Sequence, residues 1–217
     1  MQNKIGIRLE VPEDYGEVEQ LTREAFWNQH VPGCNEHYLA HILRNATCFL
    51  PELDFVAVSS GRLVGNIMYT RALVRGDDGE DYPALSFGPV SVLPEFQGTG
   101  VGSALIRHSL AAAKRAGHTA VLIYGDPDYY CRFGFAPAER YGIGTKDDFY
   151  HAALQALELS PGALAGKAGR FFEDDAYEIA EEEAERFDAR LPQKDRLSGS
   201  PSQKRFLELV QKRRPRR

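Results

Sequence analysis

Hydrophobic and polar positions follow two different periods along residues 5–140, and these periods predict the order of strands and helices. From residue 5 to residue 10, apolar and polar side chains alternate, as in a strand with one buried face. Residues 15–28 carry an apolar stripe with helical spacing, and Asp14 directly before them is a residue type that caps helices. The same reasoning predicts further elements, which are helices at 36–45, 101–116 and after Asp126-Pro127, and strands at 55–58, 63–74, 84–93, 119–124 and from Phe135 onward.

This order is a meander of strands that leads into a strand–helix–strand crossover. Such an order predicts an α/β (α+β) fold, in which a mixed, mostly antiparallel sheet is flanked by helices. The periods weaken after residue 150. Residues 171–190 fit either an acidic helix or a strand followed by a helix. Residues 198–202 are typical of a linker, and residues 203–211 fit a short amphipathic helix. We therefore predict a domain at 1–155 and a C-terminal extension at 156–217.

The composition narrows the class of protein. The 217 residues are 43% hydrophobic and 26% charged, which is ordinary for a globular protein and excludes a disordered, collagen-like or coiled-coil chain. No apolar run is long enough to cross a membrane, and the N-terminus lacks the apolar block of a signal peptide. The three cysteines lie far apart, without a Cys-x-x-Cys pair. We expect a cytoplasmic protein with no membrane partner.

The net charge of −5 is distributed unevenly near the C-terminus. Residues 171–188 hold nine acids and one base, whereas 194–217 hold nine bases and two acids. A basic tail can bind nucleic acid, but here an acidic stretch of the same chain is also available to it. We expect the tail to be solvated or paired with that stretch, and we expect no nucleic-acid partner.

The strongest chemical signal is a glycine-rich turn at the start of the helix predicted at 101–116. Glycines let the backbone come close to an anion, and the free N–H groups of the first helical turn, together with the helix dipole, favour negative charge. The sequence therefore predicts a phosphate site formed by Gln97, Gly98, Thr99, Gly100, Val101, Gly102 and Ser103.

Two other interpretations of this turn stay open. A glycine-rich turn also occurs where a helix and a strand simply pack closely. Gly98 and Gly100 fit the first two positions of the dinucleotide-binding pattern G-x-G-x-x-G, which would make the protein an oxidoreductase. However, Ser103 takes the third position, and too few strand–helix units follow to complete a doubly wound sheet.

The strand before the turn indicates which phosphate compound would bind. Gly88-Pro89 interrupts an otherwise apolar strand, and proline in a strand marks an edge or a bulge, where backbone groups are free to pair with an extended ligand. A strand of this kind that leads into a phosphate site suits coenzyme A, which has a peptide-like arm and a pyrophosphate.

Two motifs resemble those of the GNAT superfamily of N-acetyltransferases. The family's acetyl-CoA motif is similar to Gln97-x-x-Gly100-x-Gly102 of this chain. Its F-Y-x-x-x-G-F motif is similar to YYCRFGF at residues 129–135. One predicted helix and one predicted strand separate the two motifs, as they do in the family. The resemblance covers about residues 5–140. It implies an enzyme that transfers acetyl from acetyl-CoA to an amine by direct attack in a ternary complex, commonly as a homodimer.

The resemblance also implies roles for individual residues. The pantetheine arm would pair with the strand at Val90, Ser91 and Val92, and the pyrophosphate would lie on the turn from Gln97 to Ser103. Tyr130 matches the tyrosine that protonates the leaving thiolate. The alternative to an enzyme is a binding module, which would hold acyl-CoA without catalysing a reaction.

The general base and the acceptor amine are not assigned by the sequence. Ser86 stands where some relatives have a glutamate, and Asp126 is better explained as a helix cap. The acceptor site is expected over the first two helices. There Cys34, His37 and His41 have a spacing that a metal could use, but no fourth ligand is apparent, so no metal is expected.

Overall fold

The computed structural model describes residues 5–216, which form a mixed arrangement of strands and helices. The eleven strands are β1 Ile5–Leu9, β2 Phe55–Ser59, β3 Arg62–Gly76, β4 Asp81–Val92, β5 Ala120–Tyr124, β6 Ala136–Pro137, β7 Ile143–Gly144, β8 Phe149–His151, β9 Leu154–Glu158, β10 Gly169–Phe172 and β11 Arg213–Pro215. The six α-helices are α1 Tyr15–Phe26, α2 Glu36–Leu43, α3 Val101–Arg115, α4 Pro127–Tyr130, α5 Glu181–Asp188 and α6 Pro201–Gln211.

The chain divides into two compact units, and β3, β4 and α3 each run from one unit into the other. The first unit comprises the residues up to Tyr69, Gly88–Ser109 and Asp175–Lys204. In it β2 pairs antiparallel with both β1 and β3. The apolar stripe of α2 is buried in a cluster whose members are Leu39, Ala40, Leu43, Phe49 and Met68.

The second unit comprises Thr70–Phe87, Leu110–Asp174 and the residues from Arg205 on. Its strands pair in both directions, because β4 is parallel to β5 whereas β5 and β6 are both antiparallel to β9. On the other side β10 pairs antiparallel with β3 and parallel with β7. The core lies on this sheet and includes Val74, Leu122, Ile143, Leu154 and Phe171.

The predicted mixed sheet is confirmed, and the elements before residue 130 agree with the structure within a few residues. The helix expected at 15–28 ends two residues earlier, at Phe26. Asp14 is at the predicted cap position, but its carboxylate accepts the Val11 N–H (3.0 Å) and binds Arg8 rather than a helix amide. Of the two alternatives for 171–190, the strand followed by a helix is found, as β10 and α5.

The basic residues at 194–217 pair with the acidic stretch only in part, because Arg196 binds Glu185 (3.0 Å) whereas the last residues of the tail pair elsewhere. Arg213–Pro215 forms β11, which pairs with β8. The Arg216 side chain is only 4% exposed and binds the carboxylates of Asp77 and Asp148. These acids lie outside the acidic run at 171–188, so the tail is held by carboxylates that local composition did not single out.

No helix within residues 5–216 combines the length and the apolar character that a bilayer crossing needs.

A buried pair of carboxyl groups makes the stability of the first unit depend on pH. Asp54 is 2% exposed and accepts a hydrogen bond from Asn66 (2.9 Å). Burial, followed by hydrogen bonding to Glu10, raises the pKa of Asp54 to about 9. The unfolded carboxyl ionises near ~3.9. The stability that protonated Asp54 contributes to the fold is therefore fully present below about pH 3.9 and is lost as the pH rises towards 9.

Asp54→Asn is expected to stabilise the protein more as pH rises, because asparagine stays uncharged in the fold and keeps the acceptor oxygen for Asn66. Thermal melts of both proteins between pH 5 and pH 9 measure the difference. A midpoint difference that does not change with pH would contradict the protonated state of Asp54.

Candidate active site

The last residues of β4 present one face to solvent and one to the interior of the first unit. Val90 and Val92 are half-buried, whereas Ser91 between them is fully buried. The Ser91 hydroxyl donates to Thr22 Oγ1 at 2.9 Å. The Ser91 side chain is therefore occupied, and only its backbone groups remain for the cofactor role predicted from the sequence.

The glycine-rich turn after β4 is open and is held by its own hydrogen bonds. Gln97 Nε2 donates to the Val92 carbonyl (3.1 Å), and Thr99 Oγ1 donates to the Phe96 carbonyl (2.6 Å). Gly98 and Gly100 have φ of +72° and +98°, and no atom lies within 4 Å of where a Cβ would stand on either one. The turn thus leaves an empty space next to a backbone that only glycine adopts readily.

Helix α3 begins directly at this turn and directs its first amides to the same place. The bond from Ala104 N to the Gly100 carbonyl (2.9 Å) opens the helix, so the N–H groups of Val101, Gly102 and Ser103 precede the helical ladder. Free amides and the positive end of a helix dipole are groups that favour a bound anion. Of the other residues that the sequence predicted for phosphate, Gln97 and Thr99 donate their backbone N–H groups within the turn, to the carbonyls of Pro94 (3.2 Å) and Phe96 (3.4 Å).

Gly65 on β3 allows α3 to lie close to the sheet, and the sequence analysis missed it. A Cβ on Gly65 would stand 2.9 Å from the Ser91 carbonyl oxygen and 3.0 Å from Leu105 Cδ1. Any side chain there would push the first turns of α3 away from the sheet. A glycine inside an apolar strand is the only signal the sequence offers for this contact.

Tyr130 lies in the second unit, at the end of the short helix α4. Asp126 caps this helix by accepting the Asp128 N–H (2.9 Å), as predicted. The Asp126 carboxylate also takes two hydrogen bonds from Arg205, at 2.8 and 2.9 Å, and this guanidinium lowers the pKa of Asp126. A carboxylate held in this way is a weak base, so the capping role explains Asp126.

The ring of Tyr130 is enclosed by aromatic side chains of the second unit. Its centroid lies 5.9 Å from that of Phe87, 5.7 Å from that of Phe135 and 5.0 Å from that of Tyr129. Burial raises the pKa of the Tyr130 hydroxyl above its usual value, so the hydroxyl keeps its proton at neutral pH. Within residues 5–216 we find no hydrogen-bond partner for this hydroxyl, which leaves its proton available for transfer.

Gly125 makes room for the Tyr130 ring. A Cβ on Gly125 would stand 2.2 Å from one ring carbon of Tyr130 and 2.5 Å from another. We expect Gly125→Ala to displace this ring, to lower stability by about 1–3 kcal/mol, as other overpacked sites do, and to reduce turnover. Chemical denaturation and a rate assay measure the two effects. Wild-type values for both would show that the ring is not held where it lies here.

The loop and helix expected to bind the acceptor are covered by the C-terminal extension within the first unit. Trp27 Nε1 and Asn28 Nδ2 donate to the Asp195 carbonyl at 2.9 and 3.0 Å. Tyr38 donates to Glu183 (3.1 Å). A cavity of about 560 Å³ remains beside them, and its lining includes Cys34, Glu185, Asp188 and Arg196.

Of the three residues with metal-like spacing, Cys34 and His37 contact each other, whereas His41 has a different partner. Cys34 Sγ lies 3.4 Å from His37 Nδ1, and His37 Nε2 lies 3.2 Å from Asp188, whereas His41 contacts Glu19. Burial raises the pKa of the Cys34 thiol to about 12, so it is not a nucleophile. Across residues 5–216 no group of three His, Cys, Asp or Glu side chains is arranged to hold a metal.

One carboxylate near β4 was missed by the sequence analysis. Ser86 Oγ donates to Glu173 Oε1 at 2.6 Å, so a glutamate reaches the strand position where the sequence has serine. Ser86 is buried and Glu173 is half-buried. The two residues are 87 positions apart, so the sequence around either residue does not predict their contact.

Comparison with known proteins identifies the family to which the chain belongs. A family model described as the acetyltransferase (GNAT) domain matches residues 7–138. The chain belongs to this family, which confirms the resemblance drawn from the two motifs.

Individual relatives and structures agree with this assignment. The chain is 39% identical over 123 residues to the uncharacterized N-acetyltransferase YjhQ of Escherichia coli K12, covering 54% of this chain and 67% of YjhQ. It is 30% identical over 164 residues to the uncharacterized N-acetyltransferase YhbS of the same strain, covering 75% and 92%.

Two solved structures share the fold. The structure of Escherichia coli YhbS in complex with CoA has a TM-score of 0.73 and 26% identity, over 82% of this chain and 94% of that chain. A GNAT acetyltransferase from Brucella melitensis in complex with acetyl-CoA has a TM-score of 0.62 and 31% identity, over 81% and 99%. The predicted GNAT fold is therefore confirmed.

Proposed function

We propose that the protein transfers the acetyl group of acetyl-CoA to an amine by direct attack in a ternary complex. The observation that carries this proposal is the open glycine turn at the N-terminus of α3 in a chain of the GNAT family. The relatives of similar fold that hold CoA and acetyl-CoA support the choice of cosubstrate.

In this proposal acetyl-CoA binds at the residues that the sequence predicts for it. The pyrophosphate lies on the turn from Gln97 to Ser103, in the space beside Gly98 and Gly100 that a Cβ would enter, and is bound by the free amides that open α3. The pantetheine arm lies along the backbone of Val90, Ser91 and Val92, with the two half-buried valines against it. Acetyl-CoA supplies an activated acetyl thioester.

The residues of the chain orient and protonate the reacting groups. A backbone N–H near Val90 or Val92 polarises the thioester carbonyl. The amine nitrogen forms the new C–N bond as the C–S bond breaks, and the hydroxyl of Tyr130 gives its proton to the departing thiolate. The acetylated nitrogen then loses one N–H proton to water, and the Tyr130 phenolate takes a proton back from water. Because both reactants are held together, orientation supplies a large part of the rate.

The test is amine-dependent release of CoA thiol. The protein is incubated with acetyl-CoA and a panel of primary amines that includes putrescine, lysine, kanamycin and a peptide with a free N-terminus. We expect thiol release above the hydrolysis rate with at least one class, and a product that carries one acetyl group by mass spectrometry. Tight acetyl-CoA binding without any amine-dependent release would favour the non-catalytic binding module instead.

We also propose three properties of the whole protein, each with its own measurement. The division into a domain at 1–155 and an extension at 156–217 is tested by limited proteolysis. Light scattering tests the homodimer, and cell fractionation tests a cytoplasmic location.

A further inference from the structure

We propose that Glu173, which the C-terminal extension supplies, is the general base that deprotonates the acceptor ammonium. The inference rests on the proposed function, because a base is needed only if an ammonium group is the acceptor. An ammonium has no free electron pair, so one N–H bond must break before the C–N bond can form. The Glu173 carboxylate takes that proton as a new O–H bond and later releases it to water.

The backbone fixes Glu173 beside β4. Phe172, the last residue of β10, is in register with Leu73 on β3, so Glu173 is the first residue beyond this strand. Its Oε1 accepts the hydrogen bond from Ser86 at 2.6 Å. The paired strand and the serine together hold the carboxylate in one place.

The carboxylate lies where β4 and β5 stop pairing. Within residues 5–216, Leu85 with Val121 is the single registered pair of this parallel ladder. Ser86 follows Leu85 directly, on the same strand as the proposed pantetheine residues. Tyr124 ends β5, and burial, followed by the charge of Glu173, raises the pKa of its hydroxyl.

The surroundings of Glu173 suit a base. Burial raises the pKa of Glu173 above its ordinary value, against the opposing effects of the Ser86 hydrogen bond and the Lys146 ammonium. A raised pKa brings a carboxylate closer to the operating pH, where general-base catalysis is most efficient. The residue is only half-buried, so a small amine can still reach it.

Other groups of the second unit are less suitable as a base. The Asp126 carboxylate is neutralised by Arg205. His151 uses both ring nitrogens, because Nδ1 accepts from Ala153 N (3.1 Å) and Nε2 lies 3.2 Å from the Val210 carbonyl.

Glu173→Gln tests the proposal, because glutamine keeps the size of the side chain and an acceptor for Ser86 but cannot take a proton. We expect kcat for the best aliphatic amine of the panel to fall by about 10²–10⁴-fold, while the Kd for acetyl-CoA changes less than about twofold. Glu158→Gln is the matched control, since Glu158 is also half-buried and accepts a hydrogen bond from Leu164 N at 2.7 Å. It should leave kcat unchanged.

A second acceptor separates a base from a structural group. Hydroxylamine is largely uncharged at pH 8 and needs no deprotonation before attack. We expect Glu173→Gln to retain most of the wild-type rate with hydroxylamine while it loses the rate with the aliphatic amine. Equal losses with both acceptors, or no loss with either, would overturn the role of Glu173 as base.

The wild-type rate distinguishes a failure of the proposed function from a failure of this inference. If the wild-type protein releases no thiol with any amine, the proposed function fails and the role of Glu173 as base fails with it. If the wild-type protein acetylates an aliphatic amine and Glu173→Gln does so at an equal rate, the inference alone fails, because another group must then take the proton.

Discussion

Tyr130→Phe is expected to reduce kcat by about 10²–10⁴-fold, because it removes the acid that protonates the leaving thiolate. Phenylalanine keeps the ring contacts with Phe87 and Phe135, so the fold and the acetyl-CoA site should be unaffected. Thiol release at saturating acetyl-CoA gives kcat, and calorimetric titration gives the Kd for acetyl-CoA.

Tyr129→Phe is the matched control for this variant. Tyr129 is the adjacent tyrosine, it is equally half-buried, and its ring is covered by the Arg132 guanidinium at 4.6 Å from the centroid. We expect it to retain turnover. A Tyr130→Phe enzyme with an unchanged rate across the whole pH range would remove Tyr130 from the mechanism.

Gly100→Val is expected to weaken acetyl-CoA binding by at least about tenfold, because its side chain would enter the space proposed for the pyrophosphate, and each lost factor of ten costs ~1.4 kcal/mol. The substitution also strains the backbone, since φ at Gly100 is +98° and β-branched residues avoid this region. The strain alone would lower the melting temperature without a specific effect on the ligand.

Gly79→Val separates the two effects. Gly79 lies in the hairpin loop between β3 and β4 and has φ of +89°, and a Cβ placed on it would likewise have no atom within 4 Å. We expect both variants to lose similar stability and only Gly100→Val to lose affinity for acetyl-CoA. Equal affinities in the two variants would show that the glycine turn does not bind the cofactor.

The sequence could predict those parts of the fold and the site that depend on neighbouring residues. The strand and helix periods up to residue 130 and the turn chemistry at Gly98 and Gly100 are local properties, and the structure agrees with them. The cap formed by Asp126 is local as well. The family motifs are short and contiguous for the same reason, which is why they could be recognised without a structure.

The remaining features depend on contacts between distant residues. Strand β9 lies between β5 and β6 only because long-range pairing places it there. The close approach at Gly65 and the ring over Gly125 are visible only once the partners are packed. The pair of Ser86 and Glu173 joins a strand to an acidic stretch that composition alone would assign to a solvated surface.

The central claim, that the turn before α3 binds acetyl-CoA, is tested most directly by thermal melting of the protein with acetyl-CoA, CoA and NAD in parallel. At 100 times its Kd a ligand stabilises by about 2.7 kcal/mol, which for a chain of this size raises the melting temperature by roughly 5–10 °C. We predict such a shift with acetyl-CoA and CoA and none with NAD. No shift with either CoA compound, or a shift with NAD alone, would contradict the assignment of this turn.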